Sequence, residues 1–173
     1  MSIIKLAKKS VSQYVKTKTV YREDYPNELK KKRGGVFVTL KREDELRGCM
    51  GTTEPTQENL AKEVVSNSVS ACKDPRFSEI KPEELTDLNY EVNVLKEPEL
   101  IKKDQVGIPC EVTDPQKEGI IVSSGSKKGL LLPGIEGVCS SKKQLKIALK
   151  KGGIDPNKPY EIYKFETQKY AGM

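Results

Sequence analysis

The chain has 173 residues, 35% of them hydrophobic and 32% charged, and contains no histidine. That length suits one compact domain able to bury roughly 70% of its unfolded surface without disulfide or metal staples. The missing histidine excludes Ser-His-Asp triads, Cys-His dyads and H-E-x-x-H zinc sites, so a reaction would need cysteine, lysine, tyrosine, carboxylates or a cofactor.

The chain opens with a predicted helix, because Ile3, Ile4, Ala7, Val11, Tyr14 and Val15 fall on one face at helical spacing. Residues 17–33 are polar, contain Pro26 and read as an extended connector. After Gly34-Gly35 the period changes to two: Val36, Val38 and Leu40 alternate with Phe37 and Thr39 as in a strand. A charged turn over 41–45 leads to a second strand, Leu46 to Thr52, expected to pair with the first as an antiparallel hairpin. Pro55-Thr56 then opens a small, serine-rich helix that runs to Cys72 and ends before Asp74-Pro75. Lys81-Pro82-Glu83-Glu84-Leu85 reads as a short helical turn with proline at its start.

Residues 88–95 alternate cleanly, with Leu88, Tyr90, Val92 and Val94 on one side and Asn89, Glu91 and Asn93 on the other. Residues 96–118, with Pro98, Pro109 and Pro115, read as irregular. Two short strands, Gly119–Ser123 and Gly129–Leu132, flank a hairpin tip at 124–128. Ser141-x-x-Gln144 resembles a capping box for a helix that stops at Gly152-Gly153, and the last strand is Tyr160–Tyr170. Hairpins dominate over βαβ crossovers, so the predicted class is α+β, with antiparallel sheets flanked by helices in a two-lobed single domain over 1–173.

The four cysteines, Cys49, Cys72, Cys110 and Cys139, lack C-x-x-C spacing, so neither a metal site nor a disulfide is expected. Residues 1–33 carry ten Lys/Arg against three Asp/Glu, or +7, and the remaining 21 and 22 give −1. The basic excess peaks at Lys30-Lys31-Lys32-Arg33, without aromatic interleaving beyond Tyr21 and Tyr25. It reads as a solvated face, and nucleic acid is not the expected partner. Apolar runs fall well short of the roughly 18–20 residues of a membrane span. Met1-Ser2-Ile3-Ile4-Lys5 lacks the apolar segment of a secretory signal, so a cytoplasmic location without membrane insertion is expected.

The chemistry concentrates at Leu46-Arg47-Gly48-Cys49-Met50-Gly51-Thr52. Glycines inside a strand mark a bulge or a close backbone approach. Strict alternation places Arg47, Cys49 and Gly51 on one face, where the guanidinium would favour the thiolate and bare glycine would leave the sulfur accessible. Packing of Cys49 in the core is the competing reading. Asp74-Pro75-Arg76-Phe77, just past a helix end, can fold back so that Arg76 adds a second positive charge. On that basis Cys49 is expected to be the most reactive cysteine. The tip Gly125-Ser126-Lys127-Lys128-Gly129 joins two strands and fails the phosphate-loop pattern.

In this order, L-R-G-C-M-G-T, D-P-R-F, Glu91 within Y-E-V-N-V-L, G-I-I-V-S-S-G and G-L-L-L-P, the chain closely resembles the AMMECR-type domain family. The resemblance runs from about Ile3 to Tyr170. It implies a two-lobed α+β domain with its functional centre at the L-R-G-C-x-G motif, no securely assigned reaction, and Memo-type and radical-SAM partners. It marks Leu46, Arg47, Gly48, Cys49, Gly51 and Thr52 directly, then Asp74, Pro75, Arg76 and Phe77, and then Leu131, Leu132 and Pro133. Met50 replaces the usual isoleucine, a volume-conserving change. Residues 42–45 lack a histidine often found there, and Cys139 stands where the bacterial pattern has an acidic residue.

Three readings stay open. The favoured one is a binding or adaptor module whose cleft, lined by Arg47, Cys49 and Arg76, holds an anionic small molecule, a nucleotide or a peptide, with Leu46, Gly48, Gly51, Thr52, Asp74 and Phe77 around it. The second is an enzyme in which Cys49 is a nucleophile activated by Arg47 and aided by Glu91. Arginine can stabilise a thiolate but cannot shuttle a proton, which weighs against it. The third is an RNA-associated role for the basic N-terminal region. No cofactor is expected.

Overall fold

The computed structural model describes all residues, 1–173, as two compact units: Met1–Val94 with Gln168–Met173, and Leu95–Thr167. The chain adopts the α+β class that its hairpin-rich pattern predicts.

In the first unit, α1 (Ile3–Thr17) starts at Ser2, whose hydroxyl accepts the Lys5 N–H, and stops where Lys18 turns left-handed at φ 58°. One turn, α2 (Asn27–Lys30), interrupts the connector that was expected to be extended throughout. β1 (Val36–Arg42) and β2 (Glu45–Gly51) form the expected hairpin, and β3 (Leu88–Leu95) pairs antiparallel on the other side of β1. β2 is therefore an edge strand.

Leu6, Ala7, Val11, Val36, Val38, Leu40, Val64, Tyr90 and Val92 make the core of this unit. Their strand positions alternate with Phe37, Thr39 and Lys41 on β1 and with Asn89, Glu91 and Asn93 on β3, so one sheet face is apolar and the other, Phe37 aside, is polar.

The second helix starts later than Pro55-Thr56 suggests: α3 spans Leu60–Cys72 with Asn59 as its cap. The reason is Glu63, only 1% exposed, whose carboxylate accepts the N–H groups of Thr56 and Gln57 and the hydroxyls of Thr52 and Thr56. Those donors are spent on a loop, leaving the Asn59 side chain to accept the Lys62 N–H and begin the helix. The turn at Pro82–Thr86 is a short 3₁₀ helix, as its proline predicts.

In the second unit, β4 (Glu99–Gln105), β5 (Glu118–Ser124), β6 (Lys127–Leu131) and β7 (Tyr160–Gly172) lie in the order β4-β7-β5-β6. The last residues of β7, from Gln168 on, count with the first unit. α4 (Ser141–Gly152) completes a core of Ile120, Val122, Leu131, Leu145, Leu149 and Ile162. The segment 96–118, expected to be irregular, contains β4. It is an exposed, lysine-bearing strand with two register shifts against β7, so it lacks the alternation that would reveal it.

Candidate functional site

A β-bulge governs the geometry of the L-R-G-C-M-G segment. Gly48 pairs with Leu40 and Leu46 pairs with Lys41, so Arg47 is the extra residue with no partner on β1. The bulge overturns the expectation that Arg47 shares a face with Cys49. Arg47 turns instead to the segment before β3: its Nε and Nη2 bind the two Glu84 oxygens at 2.7 and 3.0 Å. Its Nη1 and Nη2 also donate to the carbonyls of Ser78 and Glu79, at 2.7 and 3.2 Å. Both members of the Arg47–Glu84 pair are largely buried. The Arg47 hydrogen bonds hold the Glu84 carboxyl below its ordinary range, outweighing burial.

The two glycines mark the expected close approach, but it is filled from within the protein rather than left open beside the sulfur. A side chain at Gly48 would place its Cβ 2.3 Å from the Ala71 carbonyl oxygen, and one at Gly51 would meet the Phe37 ring at 2.4 Å. What approaches the bare backbone is the protein's own α3 terminus and its own β1 strand.

Asp74 closes the edge. Its buried carboxylate accepts the Cys49 N–H at 2.9 Å, and Arg76 Nε and Nη2 at 3.0 and 2.7 Å. The Arg76 hydrogen bonds, joined by main-chain donors from Cys49 and Arg76, hold the Asp74 carboxyl well below the carboxylate range despite its burial. Arg76 does fold back near Cys49, but its guanidinium is committed to Asp74 and lies 5.4 Å over the half-buried Phe77 ring. Thr52 is equally committed, donating to Glu63 and accepting from Asn67. Leu46 is 39% exposed on the edge strand.

On the polar sheet face the register aligns one row across three strands: Cys49 on β2, Thr39 on β1 and Glu91 on β3. Thr39 Oγ1 and Cys49 Sγ are 3.2 Å apart. The backbones of Cys49 and Glu91 stand two strand spacings apart, roughly 9–10 Å, with Thr39 between them. Glu91 Oε2 lies 3.4 Å from Lys41 Nζ and 3.0 Å from Lys169 Nζ, and Asn93 donates to Oε1 at 3.2 Å. Burial pushes the Glu91 carboxyl up. The bonds from Lys169 and Asn93 and the two lysine charges outweigh it, and Glu91 sits below its ordinary range.

Of the predicted site residues, the structure thus brings Cys49 and Glu91 onto one face and turns Arg47 away from it. It adds Thr39, Lys41, Asn93 and Lys169, which the sequence reading missed. Thr39 and Asn93 were visible as the polar positions of two alternating strands. Lys169, far along the chain, gave no local signal. Among the cysteines, Cys72 is buried, with its thiol pushed up to about 12 by burial, while Cys110 and Cys139 are exposed. No helix is long and apolar enough to cross a membrane.

A helix-backed hairpin with a polar outer row, in a chain whose seven strands are antiparallel and carry helices, makes this an α+β protein. The AMMECR1 family model matches residues 4–170, and the chain belongs to that family. It is 42% identical over 171 residues to a protein of Clostridium acetobutylicum, covering 96% of this chain but only 35% of that relative. A protein of Thermotoga maritima is 41% identical, over 96% of this chain and 95% of its own length. The crystal structure of an uncharacterised Pyrococcus horikoshii protein superposes with a TM-score of 0.83 at 30% identity, covering 98% of this chain and 89% of that one.

Proposed function

We propose that this AMMECR1-family chain is a binding module that recognises an anionic group, carried by a small molecule or a peptide, on the face of Cys49, Thr39 and Glu91. The observation that carries this reading is the pair of lysines on Glu91. Lys41 and Lys169 converge on one carboxylate, leaving a net positive charge beside a hydroxyl–thiol pair that can donate and accept. An incoming carboxylate or phosphate would share those ammonium groups with Glu91.

The enzyme reading has less support. Arg47, its intended activator, is spent on Glu84, and the Glu91 carboxylate is engaged by Lys41, Lys169 and Asn93 rather than by the thiol. The Clostridium acetobutylicum relative is nearly three times as long as the matched segment, which agrees with a domain used alongside other chain. Memo-type and radical-SAM proteins are the partners we propose for it, on the strength of the family resemblance.

Native mass spectrometry of freshly purified protein tests the reading. A retained anion, lost in Lys41→Gln/Lys169→Gln, is expected. Retention unchanged in that variant would place the ligand elsewhere.

A further inference from the structure

We infer that the first unit carries a second binding site, on the outward side of α3, for an elongated amphipathic anion: an aliphatic body ending in a carboxylate. The connector between α1 and α2 runs beside α3 and leaves a cleft of about 590 Å³, within the size range of small-molecule sites. Its floor follows one helical stripe, where Val65 and Val69 alternate with Ser66 and Ser70 between Lys62 and Lys73. The wall is Val20, 42% exposed, with Tyr25 and Arg22. From Lys62 to Lys73 the helix rises roughly 16 Å, so the cleft is long and narrow.

Three features select the ligand. Val20 and the half-buried Tyr25 ring give an exposed apolar wall over a floor in which Val65 and Val69 are nearly buried between the serines, which favours a hydrocarbon body over a bare inorganic ion. The serines are short enough to admit that body against the helix. The cations are unequally free: Lys62 is paired with Glu58, whereas Arg22 and Lys73 have no carboxylate partner. Lys73 instead lies 5.6 Å over the Tyr14 ring. The unpaired positive charge therefore sits at the Lys73 end and on the connector wall, where a ligand's anionic head would be held and its tail laid along α3. This cleft shares no residue with the Cys49 face, so either site can fail without the other.

Octanoate is the probe, with octan-1-ol and octylammonium as neutral and cationic controls, followed by amide chemical shifts of the full chain. Saturable one-to-one binding of octanoate is expected, with shifts centred on residues 20–25 and 62–73. Arg22→Gln/Lys73→Gln should weaken it by about tenfold or more, the loss of charge-assisted bonds. Ser70→Leu, which fills the floor and leaves both cations, should weaken it as well. Equal binding of octanol, shifts centred elsewhere, or no saturation would overturn the inference. So would capture of an acidic amphipathic peptide with no response to octanoate, which would make the cleft a protein-docking groove.

Discussion

Asp74 and Cys49 are joined at 2.9 Å, the carboxylate accepting the outward main-chain N–H of the edge strand. That one bond satisfies a donor which an open sheet edge would leave free, and it ties the motif strand to the loop after α3. The same carboxylate anchors Arg76, so the D-P-R-F turn and the L-R-G-C-M-G strand are one mechanical unit.

Acid should loosen this unit. The folded-state acidity of Asp74 is strengthened, so its contribution is fully present above the unfolded value of about 3.9 and disappears as pH falls toward the folded one. Urea unfolding should show the wild type losing stability below about pH 4. Asp74→Asn should be weaker by about 1–2 kcal/mol at pH 7 and flatter in acid. Parallel acid profiles for the two proteins would contradict this.

Arg47 is a clamp in this geometry. Arg47→Ala leaves the largely buried Glu84 only the Lys81 N–H and the more distant Arg42, and should cost about 2–3 kcal/mol. Arg47→Lys should recover only part, because a point charge cannot span a carboxylate and two carbonyls. Chemical denaturation reads both values, and a neutral Arg47→Ala would remove the structural role.

Gly48→Ala should be costly although the added group is one methyl. Its Cβ would fall 2.3 Å from the Ala71 carbonyl, and a main-chain atom at a helix end cannot swing aside. A loss of about 2–3 kcal/mol is expected from thermal or urea unfolding, against little change if the strand and helix separate freely.

The β1–β2 turn offers a gain instead. Glu43 and Asp44 both adopt left-handed φ, at 51° and 64°, without being glycine or asparagine. Two-residue hairpins with that backbone favour Asn-Gly. Glu43→Asn/Asp44→Gly should therefore stabilise by about 0.5–1 kcal/mol, measured by urea unfolding. A loss of stability would show that the native side chains make compensating contacts.

Much of this fold was legible because its signals are local. Period-two stretches at 36–40 and 88–95 each carry their own instruction. The α4 cap, by contrast, lies at Ser140, one residue before the Ser141-x-x-Gln144 pattern, because the Ser141 hydroxyl accepts the N–H groups of Val112 and Thr113 instead. β4 was hidden because an exposed edge strand needs no apolar alternation. At the site, the glycines correctly announced a bulge or close approach, but not which residue would be extra. A one-residue offset at Arg47 exchanges Leu46 for Arg47 on the Cys49 face, and only the pairing with Leu40 and Lys41 fixes it. The cysteine expectation changes with it: by exposure alone, Cys110 and Cys139 should alkylate before Cys49, and Cys72 last.

The central claim is that the row Cys49–Thr39–Glu91, with its two lysines, is a surface that receives an anion. Titration of the isotope-labelled protein with inorganic phosphate, followed by amide chemical shifts, tests it most directly. Saturable shifts are predicted at Thr39, Lys41, Cys49, Glu91, Asn93 and Lys169, lost in Lys41→Gln/Lys169→Gln and retained in Arg76→Gln. Silence at those six positions while other lysine-bearing surfaces respond, or shifts that persist in the double variant, would contradict it.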